Sequence, residues 1–103
     1  MIHVIVTMIL KEGVLEEFIR TAREIAAEVR QEKGCIAYEY TVDIESPISS
    51  QEPLQKNRVT LIEKWESVEA LRAHLSAPHM KKLGPRLQPL RESVAIRVTQ
   101  SIG

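Results

Sequence analysis

The first ten residues alternate, with Ile2, Val4, Val6, Met8 and Leu10 on one face and His3, Ile5, Thr7 and Ile9 on the other. A period of two predicts a strand, and a second face that is still half apolar predicts that both sides meet something other than water. From Leu15 to Val29 the rhythm becomes helical. Leu15, Phe18, Ile19, Ala22, Ile25, Ala26 and Val29 fall within an arc of roughly 120°, and Glu16, Glu17, Arg20, Arg23, Glu24 and Arg30 fill the opposite side. Gly34 is expected to end that helix, and Cys35 to Ile44 alternates again as a second strand with Ile36, Tyr38, Tyr40, Val42 and Ile44 on one side. The stretch 46–56, with Pro47 and Pro53, is long for a hairpin and reads as an insertion, a lid or a contact arm to another subunit. A third strand runs from about Asn57 to Glu66, with Val59, Leu61, Glu63 and Trp65 on one face. Ser67 can cap a short helix, Val68 to Ser76, whose apolar stripe is Val68, Leu71 and Leu75. Pro78 can open another helix running to about Leu83, which Gly84-Pro85 should stop or kink. Glu92 to Ile102 then places Val94, Ile96, Val98 and Ile102 on one face of a fourth strand.

The order β-α-β-β-α-β, with the second helix broken in two, is the ferredoxin-like α+β pattern: an antiparallel sheet with its helices on one face. The face away from the helices cannot be fully polar whichever way the first strand points. A second copy is therefore expected to cover it, giving a barrel-like homodimer joined through the sheet. With 103 residues there is room for one core, hence a single domain over 1–103. Fourteen basic and fourteen acidic residues cancel, so the electrostatic footprint of a nucleic-acid binder is missing. The apolar opening has no basic leader and is too short to span a bilayer, so no membrane partner is expected. The single cysteine, Cys35, cannot form an intrachain disulfide, which suits the cytoplasm.

The chemistry gathers around the only tryptophan, Trp65, in the run Ile62-Glu63-Lys64-Trp65-Glu66-Ser67, with His74 nine residues on and Pro78-His79 after it. A strand that delivers a tryptophan and a carboxylate into a histidine-bearing helix can furnish an apolar, polar-rimmed pocket for a flat organic molecule. Glu63, flanked on its strand face by Leu61 and Trp65, would be a general acid or base if buried, or would orient a histidine. His74 lies roughly 80° from the centre of its helix's apolar stripe, a boundary position. His79, in the first turn of the next helix, is expected as a hydrogen-bonding imidazole. Each residue also has an ordinary structural use: Trp65 and the tyrosines as core, Glu63 as an edge carboxylate, His74 as a surface or satisfied histidine. No metal is expected, because His74 and His79 are five apart across a helix break and no His-x-x-x-His or Cys-x-x-Cys occurs. No phosphate-cradling glycine loop is present either, and Cys35 reads as a buried strand cysteine.

Taken together, the valine- and isoleucine-rich first strand, Glu32-Lys33-Gly34-Cys35-Ile36-Ala37-Tyr38, Ile62 to Ser67, Leu71-Arg72-Ala73-His74-Leu75 and Pro78-His79 resemble the antibiotic biosynthesis monooxygenase family, especially its small quinol-monooxygenase-like branch. The resemblance covers nearly the whole chain. It implies a dimeric α+β barrel and oxygenation of a small quinol or phenolic aromatic by O₂, without metal, flavin or haem as cofactor. It also implies Trp65 as pocket wall, His74 and Glu63 as the catalytic proton-handling pair and His79 at the rim. In the anthrone-oxidising branch an asparagine stands four residues before the matching tryptophan and a tyrosine six after. Leu61 and Leu71 take those substrate-facing places here, which narrows the substrate class. The haem-degrading branch carries an asparagine on the first strand, which this strand lacks, and a haem-ligating histidine near the place of Gly84. The family also includes an isomerase and members of no known activity. Two alternatives therefore stand beside the monooxygenase: a small-molecule isomerase or acid-base enzyme, which would turn over without O₂, and a non-catalytic ligand-binding dimer. The last would be favoured by Trp65 and His74 packed against each other with no cavity between them.

Overall fold

The computed structural model describes all 103 residues. Strand β1 (Ile2–Leu10), helix α1 (Leu15–Val29), strands β2 (Cys35–Val42) and β3 (Arg58–Trp65), helices α2 (Val68–Leu75) and α3 (Pro78–Leu87), a 3-10 turn at Gln88–Leu90 and strand β4 (Arg91–Gln100) succeed one another along the chain. The four strands form one antiparallel sheet in the order β2-β3-β1-β4. This is the ferredoxin-like arrangement that the element order predicts. No helix is long and apolar enough to cross a membrane.

The alternation of β1 decides which way the sheet faces. Ile2, Val4, Val6, Met8 and Leu10 are all buried and point toward the helices, while the odd residues are half-buried on the other face. Register carries that phase across the sheet: Val4 stands opposite both Glu63 and Val98, and Glu63 stands opposite Tyr38. Val59, Leu61, Glu63 and Trp65 are consequently on the helix side, where all four are buried. Helix α1 lays Phe18, Ala22, Ile25, Ala26 and Val29 onto this surface and joins it in one core. At about 25 cal/mol per Å² of apolar surface, that continuous layer is the main stabilising term of the fold.

Three elements depart from simple periodicity. In β2 the register shifts between Cys35 and Ala37, so Ile36 is the extra residue of a bulge and turns to solvent instead of sharing a face with Tyr38 and Tyr40. Helix α3 runs straight through Gly84-Pro85 to Leu87 rather than ending near Leu83. A proline inside a helix costs about 3 kcal/mol, but the residue before it is a glycine without the Cβ that would clash with the ring, and buried Leu83 and Leu87 hold the helix on the core.

The third departure is the phase of α2. Its expected stripe of Val68, Leu71 and Leu75 is not the inward face: Val68 and Leu75 are exposed, Leu71 is half-buried, and His74 is buried at 2% exposure. Ser67 fixes the start of the helix, its hydroxyl accepting from the Ala70 N–H at 3.1 Å. Gly34 fixes its height above the sheet: a Cβ at that residue would lie 2.5 Å from the Ala70 Cβ, and its φ of 86° is one that glycine adopts freely. A backbone bond from the Glu66 N–H to the Gly34 carbonyl, 2.9 Å, ties the two segments together. Ala70, Leu71 and His74 are thereby turned toward the sheet.

A candidate active site around His74

Four segments bring polar groups together around α2. The end of β3 supplies Glu63 and Trp65, the last turn of α2 supplies His74, and the turn between α1 and β2 supplies Glu32. The first turn of α3 adds His79. Trp65 is wholly buried, and its indole N–H donates to Glu63 Oε1 at 2.9 Å. The His74 ring lies over the indole with centroids 4.8 Å apart and planes tilted by 34°. The Tyr38 ring meets His74 edge-on at 5.6 Å, and the Tyr38 and Tyr40 hydroxyls are 3.3 Å apart.

Glu32 is the residue that sequence reading leaves out of the site. Its Oε2 lies 2.9 Å from His74 Nδ1 and 2.6 Å from His79 Nε2, so one carboxylate oxygen receives both imidazoles. With the ring proton on Nδ1, the tautomer that this hydrogen bond selects, His74 donates to Glu32 and keeps the lone pair of Nε2 free. Nothing in local spacing points to Glu32, which lies 42 residues from His74 in a polar turn. The one signal was its place in the Glu32-Lys33-Gly34-Cys35 run.

Burial pushes the Glu63 carboxyl above its ordinary range, opposed by the indole hydrogen bond and by His74, and reinforced by Glu32. Burial likewise pushes the Tyr38 and Tyr40 phenols up, so both remain neutral donors. Neither Nε2 of His74 nor Oε2 of Glu63 takes part in a hydrogen bond. Each therefore keeps unused hydrogen-bonding capacity within an almost wholly buried residue.

The expected residues therefore fall into two groups. Glu63, Trp65, His74 and His79 come together. Leu61 is buried in the core one strand repeat before Glu63, and Leu71 is half-buried one turn before His74. Two recesses flank the cluster. A groove of about 430 Å³ runs between α1 and the edge strand β2, walled by Phe18, Ala22, Ala26, Tyr40 and Val42. Another of about 540 Å³ lies between α1 and α3, with His79 on its wall. Neither is lined by Trp65.

Residues 1–85 match the family model described as Antibiotic biosynthesis monooxygenase. The chain belongs to that family. A probable quinol monooxygenase of Escherichia coli K12, YgiN, is 32% identical to it over 90 residues, which are 87% of this chain and 82% of that protein. Among solved structures, one titled an antibiotic biosynthesis monooxygenase superposes with a TM-score of 0.82 at 23% identity, covering 100% of both chains. A conserved protein from Methanosarcina mazei Go1 does so with a TM-score of 0.84 at 22% identity, covering 97% of this chain and 91% of that one. Both share the fold with this family member.

Proposed function

We propose that the protein is a monooxygenase acting on a small quinol or related phenol with O₂, the substrate itself serving as reductant. The observation that carries this reading is His74: its ring is buried against the indole, Nδ1 is held by Glu32 at 2.9 Å, and Nε2 makes no hydrogen bond. Such an imidazole can take the hydroxyl proton of a flat aromatic brought against Nε2. The resulting anion is electron-rich enough to reduce O₂. One oxygen atom bonds to a ring carbon and the other leaves as water; the quinol supplies all four electrons and ends as a hydroxyquinone. Glu63, with its raised pKa, can return a proton to the reduced oxygen, and Trp65 and the tyrosine pair limit water. Membership in the monooxygenase family and the likeness to a probable quinol monooxygenase support the reaction class.

The test is oxygen uptake on adding a reduced quinol to metal-free protein. The rate should fall by two orders of magnitude or more in His74→Ala, on the scale of general acid-base catalysis (about 10²–10⁴-fold), while circular dichroism stays unchanged. An unchanged rate removes His74 from the mechanism. Turnover that persists without O₂ would instead identify an isomerase.

A second reading has one observation in its favour. Trp65 and His74 pack ring on ring, and neither principal recess lies between them. A non-catalytic binding module would show this packing and would consume no oxygen with any quinol.

A homodimer through the sheet belongs to the same proposal. Ile62 is 45% exposed beside half-buried Ile5 and Ile9 on the face away from the helices. On the helix side of edge strand β4, Val94, Ile96 and Val98 are also uncovered. Light scattering at micromolar concentration should give twice the chain mass, and Ile62→Glu with Ile96→Glu should give the single mass.

A further inference from the structure

We propose that Glu32, His74 and His79 form a binding site for a divalent transition-metal ion of the zinc class, and that filling it disables the proton acceptor on His74; the second half rests on the function proposed above. Two imidazole nitrogens and a carboxylate are the donor set that such ions take in preference to magnesium or calcium, and three protein ligands leave a coordination position open. Here the three donor atoms lie within 4.8 Å of one another, with both nitrogens aimed at the same oxygen at 2.9 and 2.6 Å. Bonds of about 2.0–2.2 Å to a tetrahedral ion separate ligands by roughly 3.3 Å. The carboxylate oxygen must therefore back away from the nitrogens by about half an ångström, a small side-chain torsion for Glu32, which sits in a turn and not in a helix or strand. The two nitrogens, up to 4.8 Å apart, must close by as much as about 1.5 Å, which falls to partly exposed His79.

The donors come from three separate segments, so their convergence is a product of the tertiary fold and not of local spacing. A route in exists as well. His79 is the partly exposed member, on the wall of the recess between α1 and α3 that Glu24, Glu28 and Lys82 also line, and the two carboxylates there favour a cation. His74 is reached only from within. In the hydrogen-bonded state Nδ1 carries the ring proton and Nε2 is the acceptor. When Nδ1 ligates a metal, the neutral ring must carry its proton on Nε2, which becomes a donor and can no longer take a proton from a hydroxyl. Metal at one nitrogen thus silences the other.

The test uses untagged, full-length, metal-free protein titrated with Co²⁺ alone, followed by visible absorption and calorimetry, then displaced with Zn²⁺. The expected result is one ion per chain. Affinity should fall about tenfold or more in His79→Ala and in Glu32→Gln, and should stay unchanged in His3→Ala. Glu32→Gln keeps a hydrogen-bond acceptor, so a triad that merely braces α2 would survive it, and thermal melting reports that separately. In parallel, Zn²⁺ should stop oxygen uptake of the wild type at one equivalent and require tenfold more in His79→Ala. Absent Co²⁺ binding, or binding indifferent to both variants, overturns the site. Binding without loss of oxygen uptake overturns the silencing. If no quinol is turned over at all, the spectral titration still decides the site while the proposed function fails.

Discussion

Two carboxylate-centred networks in this protein look alike on paper and behave oppositely. Around Asp43, at the mouth of the loop 46–56, the Arg58 guanidinium donates to both carboxylate oxygens, at 2.6 Å from Nη2 and 3.1 Å from Nε to Oδ2, and the Gln55 N–H adds a third donor at 3.0 Å. Arg58 reaches on to Glu52 and to the Pro53 carbonyl, and Gln51 donates to the Ile44 carbonyl while Ser46 bonds its side chain. These donors and acceptors are spent on holding the loop. The Glu32–His74–His79 and Glu63–Trp65 groups lie deeper, and they keep Nε2 of His74 and Oε2 of Glu63 unbonded. A saturated network holds a shape, whereas one with reserved capacity can exchange protons with a visitor. The carboxyls record the difference: Arg58 holds Asp43 below its ordinary range, and burial pushes Glu63 above its own.

The sharpest way to break this contrast is to remove one hub from each network. Glu32→Ala should lower quinol-dependent oxygen uptake at least tenfold and destabilise the fold by about 1–3 kcal/mol, the cost of leaving imidazole N–H groups without an acceptor. Asp43→Ala should leave uptake within about twofold and chiefly hasten proteolytic cutting between residues 46 and 56. Oxygen-electrode rates, urea unfolding and timed digestion give the three readings.

The next test uses pH. Glu63 has a folded-state pKa above the 4.5 of the free side chain, so the folded protein binds the proton more tightly than the unfolded chain. Its contribution is fully present below 4.5 and is lost as pH rises through the raised value. Glu63→Gln keeps an acceptor for the indole and cannot ionise, so its stability relative to wild type should be more favourable at pH 8 than at pH 4. Asp43 has the opposite sign: its contribution is present above 3.8 and is lost as pH falls through its lowered folded value. Asp43→Asn should therefore cost more stability at pH 7 than at pH 2. Urea midpoints at these pH values check both.

The smallest effect belongs to the helix that carries His74. Ser67→Ala removes its cap and should destabilise by about 1 kcal/mol, read in urea, with a fall in oxygen uptake larger than Ser76→Ala gives.

The fold was legible because its longest elements obey one period each. Every even residue of β1 is buried, and the helix spacing of 15–29 marks α1 at both ends. Legibility failed where a polar group or a close approach outranked hydrophobicity. On α2, the indole stack and Glu32 draw His74 inward, and Val68 and Leu75 are left in solvent, which no wheel built on apolar residues can anticipate. A single register shift turns Ile36 out of the face that alternation gives it. Gly84-Pro85 reads as a stop because local propensity does not know that Leu83 and Leu87 are both anchored. Most of the site was visible, Glu63 and Trp65 because they share a strand face at two-residue spacing and His74 and His79 because they follow closely in sequence, whereas Glu32 joins them only through tertiary packing.

Gly34 gives the site a dimension that its polar atoms do not set. Because a single methyl there would press on Ala70, the headroom between α2 and the indole is fixed by a missing carbon. An alanine at residue 34 would lift the helix and separate the stacked rings together with the bonds to Glu32. The spacing between helix and indole is thus written at a residue with no side chain of its own.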